Sequence, residues 1–561
     1  MRCIALVIVL AACGPKGPPP ASPSTVPRLL APPLIDPEVR GAAYLTAVAL
    51  SLQPAWHQFL EDCRLRLPAD HALNHMDLVT TAQLEIGARG ELAKLAIAPS
   101  GNRDFDKAIE QVVRDAVPLP PPPRELWSDD DRVHLAWTFA RDRRQAGPAT
   151  AQVGDVLLPL RVVVAQRIRQ NDLTRAARRI AREPVGAERD AATQRLMIAA
   201  LDEGARSSDV GVRKAAVQAI ATAGVHELDT VAADLVKSAD LDLSSAVIEH
   251  GFAPTNVLAL LFHRELTQAP KRTRLIIAAL AVRDHAAAVD LVRRELATTP
   301  ATDPAMLQAL AIAPVPDVAD KLVSAFGRGD ASQRSGVCGA LARYPAAVAL
   351  PIVTRGLGDR DASVRASCLA TLREQATAAK AKPALLTRVR ELAKDRDSLV
   401  RAQAIAALAA IAPATLPDAV DDRAADVRAA YAGALALVPR SDATTPLVTL
   451  ADDRDPDVRA AAWTVLAAGS SAQTANLAKH AAKDSAAQVR LAALPAARDE
   501  DLLLELANRD DSTDVRTAAL VQLARIRTRH AIADLLLARL ADAAPGSAER
   551  VRTALAWLQA R

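Results

Sequence analysis

Apolar residues recur at helical spacing along most of the chain, and from Asp209 onward they recur in a repeating unit. The unit reads Asp, a short gap, Val-Arg, and then Ala and Leu at helical intervals. In the copy DPDVRAAAWTVL, Val458, Ala462, Val465 and Leu466 fall on one helical face, at spacings of four, seven and eight residues from Val458. Asp455 or Asp457 at its start can accept backbone N–H groups, as helix-capping residues do. Each copy therefore predicts one amphipathic helix.

The repeating unit occurs often enough to define a period. Eight arginines mark the clear copies: Arg213, Arg365, Arg401, Arg428, Arg459, Arg490, Arg516 and Arg552. After a first gap of 152 residues they lie 36, 27, 31, 31, 26 and 36 residues apart, and weaker helical units near Ser245, Arg274, Met306 and Arg334 fill that gap. The whole span corresponds to eleven steps of about 31 residues, which predicts a solenoid of about twelve helix pairs. We expect this solenoid to be an elongated, open arc.

Residues 41–145 have a different pattern, in which strands and helices alternate. Seven of the fourteen aromatic residues of the chain lie there, which is typical of a compact domain with its own core. A Gly-Ala-Arg-Gly turn separates two of the strand-like runs and indicates a hairpin. The predicted order is helix, strand, strand, helix, strand: Ala42–Cys63, Leu78–Ile86, Leu92–Ala98, a helix through Ile109 and Val113 that stops at Pro118, and Val133–Ala140.

This run of residues resembles the C-terminal domain of the TonB/TolA family. That pattern is a strand, a Gly turn, a strand ending in Ser-Gly, Phe-Asp opening a helix, and a Pro stop before the last strand. The matching residues are Gly90, Ser100, Gly101, Phe105, Asp106, Pro118, Pro120 and Phe139. The resemblance implies that the domain binds an extended segment of an envelope protein by adding a strand to its sheet. TonB itself has a transmembrane helix and places this domain last, so we expect partner binding here rather than energy transduction.

The repeating unit resembles HEAT repeats, in particular the short bacterial kind. The resemblance implies a right-handed α-solenoid of helix pairs that binds other macromolecules. It also implies that the recurring arginines form a structural ladder with aspartates of the turns between helices. The alternative is a basic stripe that binds phosphate or acidic lipid.

The N-terminus carries a short apolar run after Arg2 that ends in Leu-Ala-Ala-Cys. It resembles a bacterial lipoprotein signal, which implies that Cys13 is lipidated and anchors the chain in the cell envelope. In such lipoproteins an Asp directly after the lipidated Cys favours retention in the inner membrane, and here that position is Gly14. We therefore expect the chain to be anchored in the outer membrane, on its periplasmic side. The alternative is a fortuitous apolar start on a cytoplasmic protein. The Pro-rich residues 14–40 predict a semi-rigid tether.

Composition narrows the function classes. The net charge of +4 is small for 561 residues, and basic stretches are interleaved with Asp or Glu, so we expect no nucleic-acid partner. Aromatic residues make up 2% of the chain, which suits thin, closely packed helices. Beyond the signal the cysteines are Cys63, Cys338 and Cys368. Buried thiols are the favoured interpretation, and a bridge between Cys338 and Cys368, in adjacent repeats, is the alternative.

No catalytic pattern stands out. His71 and His75 have the spacing of two metal ligands on a helix, but no third ligand is evident and the segment reads as a loop. The run Asp129–Asp131 reads as a solvated turn. We therefore predict no cofactor, metal or catalytic residue. An enzyme of the HEAT-type lyase class, or a metal-dependent one, is kept as an alternative.

These observations predict a mainly α protein with five parts: a lipoprotein signal at 1–13, a tether at 14–40, a small α+β domain at 41–145, a helical connector at 146–205 and the solenoid at 206–561. The predicted function is a lipid-anchored envelope scaffold whose two folded parts bind proteins. The competing prediction is a transport component of the TonB system that contacts outer-membrane receptors.

Overall fold

The computed structural model describes residues 35–267, 272–380, 382–469 and 471–560. The chain divides into two compact units at Val163/Val164. The signal with Cys13 and most of the predicted tether lie outside the described residues.

Up to residue 154, the described part of the small unit contains two α-helices and one four-stranded sheet. Its elements are α1 (Ala42–Arg66), β1 (Val79–Ile86), β2 (Leu92–Ile97), α2 (Arg103–Asp115), β3 (Val133–Ala140) and β4 (Gln152–Gly154). The strand order is β2-β1-β3-β4, and neighbouring strands are antiparallel. Leu84 at the centre of β1 lies opposite Leu95 of β2 and Leu135 of β3.

An aromatic cluster forms the core of this unit. Trp56 of α1 stacks on Phe59 and meets the rings of Phe105 and Phe139 edge-on, with ring centroids 5.3 and 5.1 Å away. Alternate residues of β1 and β3 are buried, as period-two strands with one face on a core require. The five elements predicted from the sequence are all present. The α+β prediction for this region is therefore confirmed.

Strand β4 was not predicted, and it places the end of the small unit beyond residue 145. It has only three residues and no alternating pattern of its own. The described residues 147–156 belong to this unit, rather than to a helical connector. Its backbone finds partners on β3 and in the turn before β3, a long-range arrangement that no local signal encodes.

From residue 160 onward, the described residues form paired helices. They are α3 (Leu160–Arg169), α4 (Leu173–Ala181), α5 (Ala187–Ala205), α6 (Val210–Ala223), α7 (Asp229–Asp234), α8 (Leu241–Glu249), α9 (Thr255–Thr267), α10 (Thr273–Arg283), α11 (His285–Glu295), α12 (Pro304–Leu310), α13 (Ala319–Arg328), α14 (Ala331–Ala340), α15 (Ala346–Gly356), α16 (Ala362–Glu374), α17 (Ala376–Lys380), α18 (Pro383–Leu392), α19 (Ser398–Ile411), α20 (Ala425–Ala434), α21 (Arg440–Leu450), α22 (Pro456–Ala467), α23 (Ala472–Ala481), α24 (Ala487–Ala493), α25 (Glu500–Arg509), α26 (Thr513–Ile526), α27 (Arg529–Asp542) and α28 (Ala548–Gln559). The α-solenoid prediction is confirmed.

The local signals of the repeating unit act as predicted. The side chain of Asp455 caps α22 by accepting the N–H of Asp457 at 2.9 Å. Val458, Ala462 and Leu466 are buried along one face of the same helix, and Val465 is partly buried against the same core. Burying a helix stripe of this kind against neighbouring helices is the main source of stability in such an array.

The second helices of the pairs form one continuous layer, in which each helix contacts the next. We call these twelve helices the layer helices: α6, α8, α10, α12, α14, α16, α19, α20, α22, α24, α26 and α28. Their number equals the count inferred from the period of the sequence. The first helices, such as α13, α15, α18 and α21, pack on the layer helices that follow them.

The two ends of the helical unit contact each other, which corrects the expectation of an open arc. Helix α28 packs on α5 and α6, and α27 packs on α4. Gly204 of α5 permits the close approach, since a Cβ there would lie 2.4 Å from a methyl group of Val551. We call the contact of α27 and α28 with α4, α5 and α6 the seam. Polar contacts also cross it: the Ser207 hydroxyl donates to the Gly546 carbonyl at 3.0 Å, and the Gln559 amide donates to the Thr222 carbonyl at 3.0 Å. The layer of helices is therefore closed.

One buried ion pair lies at the centre of the seam. The Arg550 guanidinium is 1% exposed and binds both carboxylate oxygens of Glu203, itself 8% exposed, at 3.0 and 2.9 Å. A second nitrogen donates to the Thr174 hydroxyl at 2.8 Å. Because each partner is hidden from water, either one left alone would be strongly destabilising.

Candidate functional site

The sheet of the small unit presents two edges with different availability. Among the described residues, β2 pairs with β1 alone, so its outer backbone groups have no strand partner. The outer edge of β3 is occupied by the chain itself. Strand β4 pairs with His134–Ala136, and the Gly147 N–H donates to the Thr138 carbonyl at 3.2 Å. The edge that an added strand can reach directly is therefore that of β2.

Several contacts hold β4 and the residues after it in place. The Val156 N–H donates to the Ser128 hydroxyl at 3.1 Å, and the Leu158 N–H donates to the Asp129 carboxylate at 3.0 Å. Arg40 binds both oxygens of Asp155 at 2.5 and 3.0 Å. Residues 147–156, which we call the strap, thus cover the β3 edge.

The predicted TonB-like motif residues make contacts that hold the elements of the small unit together. The Ser100 N–H donates to the Asp106 carboxylate at 3.2 Å, which ties the end of β2 to the first turn of α2. Phe105 is fully buried beside Trp56. Gly101 has a φ of +88° in the turn between β2 and α2.

Gly90 occupies the hairpin turn with a φ of +82°. A Cβ there would lie 1.8 Å from the Leu119 carbonyl oxygen, so only glycine fits. The Leu119 N–H donates to the Gly90 carbonyl at 2.9 Å. Pro118 immediately precedes this contact, and its peptide bond with Val117 is cis. These residues therefore join the hairpin to the segment after α2.

Arginines of the layer helices bind the turns between repeats, and Arg428 illustrates the geometry. Its Nη1 donates to the Asp422 carbonyl of its own turn at 2.8 Å. Its Nε and Nη2 bind the two carboxylate oxygens of Asp453, in the turn of the next repeat, at 2.7 and 2.8 Å. The Asp453 carboxylate also accepts the Asp455 N–H at 2.8 Å. One arginine therefore links two successive turns.

Six such rungs follow one another without interruption, and each pairs an arginine with an aspartate of the next turn. They are Arg334–Asp359, Arg365–Asp395, Arg401–Asp422, Arg428–Asp453, Arg459–Asp484 and Arg490–Asp510. The arginine side chains are at most 15% exposed. We call this series the ladder.

The arginines lower the pKa values of the ladder carboxyls below their ordinary value. In four of the six, the largest cause is the side-chain hydrogen bond from the arginine: Asp359, Asp422, Asp453 and Asp484. In Asp395 and Asp510, burial is the largest influence and raises the pKa, but the bonds from arginine and from backbone N–H groups outweigh it. The carboxylates are thus held in the charged form.

The structure does not bring all predicted arginines into the ladder. Arg213 donates to the Ser207 carbonyl at 2.7 Å, Arg516 donates to the carbonyls of its own turn, and Arg552 pairs with Glu549 within its helix. None of the three binds an aspartate of a following turn among the described contacts. Arg334, which the sequence marked only as a weaker unit, is the first rung.

The ladder bears on the alternative of a basic stripe. Each rung arginine already binds a carboxylate and at least one backbone carbonyl, as Arg365 does through Asp395 and the Asp359 carbonyl. A guanidinium has five N–H groups, and all three nitrogens of Arg428 already donate to these partners, which leaves little capacity for a phosphate. The geometry therefore favours the structural role for the six rungs.

The cysteines differ from the favoured interpretation of buried thiols. Cys338 of α14 and Cys368 of α16 form a disulfide, with their Cα atoms 5.1 Å apart. Gly356 leaves room for it, since a Cβ there would lie 2.2 Å from the Cys368 sulfur. Cys63 is a buried free thiol, and burial raises its pKa.

The structure places the remaining candidates in ordinary structural roles. His71 caps the short turn Ala72–Asn74 by accepting the Leu73 N–H at 3.2 Å, and His75 lies at the end of that turn. Among the described residues, no group of three His, Cys, Asp or Glu side chains is arranged to hold a metal ion. In the same residues, no helix combines the length and apolar character needed to cross a membrane.

Two family models match the chain. Residues 42–135 match the model of the TonB C terminal, and residues 412–498 match the model of HEAT repeats. The first match covers α1 to the start of β3, and the second covers three layer helices, α20, α22 and α24. No curated protein matches the sequence. Both resemblances inferred from the sequence are therefore confirmed.

Solved structures give weaker likenesses. Kap121p bound to Pho4p is 13% identical, with 65% of this chain and 50% of that chain covered and a TM-score of 0.31. Kap121p bound to the extreme C-terminus of the protein phosphatase Cdc14p is 13% identical, with 66% and 50% covered and a TM-score of 0.29. An engineered protein is 17% identical, with 64% and 97% covered and a TM-score of 0.19. The chain spans about half the length of the Kap121p chains, and TM-scores this low lend no support to any function.

Proposed function

We propose that this protein is a lipid-anchored scaffold of the cell envelope that binds other proteins through both of its folded units. The lipid on Cys13 would fix it to the outer membrane on the periplasmic side. The HEAT layer and the TonB-like sheet would recruit partners, and neither would carry out catalysis.

The observation that carries the proposal is the continuous layer of twelve helices. Ladder arginines are used to join repeats, whereas other positions of the same helices stay exposed. In α22 these include Asp457 and Thr464, and in α16 they include Ser363 and Glu374. The exposed residues change from repeat to repeat while the buried ones recur. A long surface with a constant frame and variable exposed residues suits recognition of a macromolecule.

The disulfide between Cys338 and Cys368 supports the envelope location. Disulfides persist in oxidising compartments and are rare where thiol reductants act. Both cysteines are fully buried between adjacent layer helices, so the bridge is part of the packed core. The envelope is the compartment in which such a bridge would be stable.

A second candidate function is that of a TonB-system component that binds an extended receptor segment. The unpaired β2 edge favours it, because strand addition needs free backbone donors and acceptors. The strap on β3 weighs against the use of the other edge unless it is displaced. Calorimetric titration of the whole chain with an extended receptor-derived peptide would test this candidate, and absence of binding would remove it.

The anchor is tested by comparing the intact chain with Cys13→Ala in its own host. We expect the intact chain in the membrane fraction and the variant in the soluble fraction, with proximity labelling of envelope proteins only in the first case. Cys3→Ala is the matched control, because that cysteine lies inside the predicted signal and before the lipidated position. An unchanged distribution of Cys13→Ala would contradict the proposal.

A further inference from the structure

A groove crosses four consecutive layer helices, on the face that the first helices leave uncovered. Its volume is about 610 Å³, within the range of ligand-binding clefts. The residues that line it come from α10, α12, α14, α16 and the turns that adjoin them. No residue of α11, α13 or α15 lines it.

The groove is positively charged. Arg274, Arg343 and Arg373 line it, against a single acidic residue, Glu374. Among the described residues, neither Arg274 nor Arg343 makes an ion pair. The Arg373 guanidinium lies 3.7 Å from the Glu374 carboxylate, and both side chains are about half exposed. The six ladder arginines are paired with aspartates and at most 15% exposed, so these three are a different class of cation. They are available to an anionic partner.

The three positive charges are spread along the groove. Arg274 lies in the first turn of α10, whereas Arg343 follows the end of α14 and Arg373 lies at the end of α16. Arg274 and Arg373 lie on layer helices that are three steps apart, α10 and α16. Packed helix axes are about 8–10 Å apart, so three steps amount to roughly 25 Å. An extended run of polypeptide can reach across this distance, whereas one compact anion cannot.

Small and polar residues form the floor of the groove. Gly336 and Gly339 lie on α14, and the hydroxyls of Ser335 and Ser367 are hydrogen-bonded to each other at 2.7 Å. A Cβ at Gly339 would meet no atom within 4 Å, so this position opens into free space. A peptide backbone can approach such a floor closely and exchange hydrogen bonds with its hydroxyls.

The floor is held rigid from behind. The disulfide from Cys338 to Cys368 joins α14 to α16, and the Thr371 hydroxyl donates to the Cys338 carbonyl at 2.7 Å. The Gln375 amide donates to the carbonyls of Ala342 and Tyr344 at 2.8 and 2.9 Å. A rigid groove loses little conformational entropy when a ligand binds.

We propose that this groove binds an extended segment of a partner protein that carries acidic side chains. The carboxylates would bind the guanidinium groups of Arg274, Arg343 and Arg373, and the segment's backbone would lie on the floor around Gly339. The inference rests on the proposed scaffold function and names the chemistry of one partner.

The test is calorimetric titration of the full chain with a hexaglutamate peptide. We expect binding that weakens as salt rises, because the contacts are charge-based and partly exposed. The double variant Arg343→Ala with Arg373→Ala should weaken binding at least tenfold. Hexalysine should not bind. Equal affinity for the two peptides, or no loss in the double variant, would overturn the proposal.

A matched pair of glycine variants separates the groove from the fold. Gly339 and Gly433 each lie five residues after a ladder arginine, and a Cβ at either meets no atom within 4 Å. Only Gly339 lines the groove. Gly339→Leu should abolish hexaglutamate binding, and Gly433→Leu should leave it unchanged. The same result for both variants would count against the site.

Citrate distinguishes a peptide site from a site for small anions. If citrate at an equal concentration of carboxylate displaces hexaglutamate completely, the groove binds small anions and the peptide assignment is wrong. These titrations use purified protein and do not depend on the anchor. Their failure would therefore leave the envelope scaffold standing, whereas failure of the Cys13→Ala comparison would not affect the groove.

Discussion

The layer helices from α14 to α26 and those from α6 to α12 build the same layer in different ways. The later helices share the ladder, in which one kind of ion pair recurs from turn to turn. The earlier helices have no equivalent series among the described contacts. Their buried ion pair, Arg272–Glu265, does not recur from turn to turn among the described contacts. Arg272 also binds the Ser244 hydroxyl at 2.6 Å.

What the two regions share is apolar packing and capped helix starts. Asp240, Asp303 and Asp361 each accept a backbone N–H at the start of a layer helix, although only the last belongs to a ladder repeat. The stack of helices therefore does not require the ladder. We infer that the ladder fixes how successive repeats are aligned, because each rung joins two turns through three or more hydrogen bonds.

The seam, where the two ends of the helical unit meet, differs from both of these regions. Breaking its ion pair should lower the free energy of unfolding more than any other change considered. Arg550→Ala leaves the Glu203 carboxylate buried without a partner, so we expect a loss of about 3–5 kcal/mol in the free energy of unfolding. Urea unfolding measures this loss. Small-angle scattering should show a larger radius of gyration if the two ends separate.

The control for the seam is Lys237→Ala, which removes an exposed ion pair with Asp234. Exposed pairs of this kind contribute at most about 1 kcal/mol. If Arg550→Ala unfolds at the same urea concentration as the control, the seam does not stabilise the unit.

The ladder itself is tested by comparing Arg428→Ala with Arg516→Ala. Arg428 is 6% exposed and leaves Asp453 unpaired when removed, so we expect a loss of about 3 kcal/mol. Arg516 occupies the equivalent position but binds no carboxylate of a following turn, so about 1 kcal/mol should be lost. Thermal unfolding measures both. Equal losses would mean that the carboxylates add nothing to the ladder.

A smaller effect should appear as a dependence on pH. The pKa of Asp453 is lowered in the folded state, because Arg428 donates to its carboxylate. A group of this kind contributes stability that is complete above its unfolded pKa of about 3.9 and is lost as the pH falls through its folded pKa. The difference in stability between the unchanged chain and Asp453→Asn should therefore be constant from neutral pH to about pH 5 and shrink below about pH 4. A constant difference down to pH 2 would contradict the assignment.

Much of the fold was predictable because the signals are local. The aspartate before each repeat, the apolar stripe after it and the period were enough to predict helices such as α16, α19 and α22. The order of elements in the small unit was predictable for the same reason, since Gly90 and the Ser100-Gly101 pair mark its turns. The arginine ladder was inferred from a resemblance, and the sequence alone suggested preceding aspartates rather than those of the next turn.

The sequence by itself determined where the helices of the repeating unit and the strands β1 to β3 begin, how many layer helices there are and which residues of the repeats face the core. Only the tertiary structure decided which aspartate each arginine binds, that Cys338 and Cys368 pair, that the strap covers β3 and that α28 closes on α5 and α6. The reason is physical: capping and helical periodicity act within a few residues. Closure depends on small rotations that accumulate over twelve repeats, and no single segment encodes their sum.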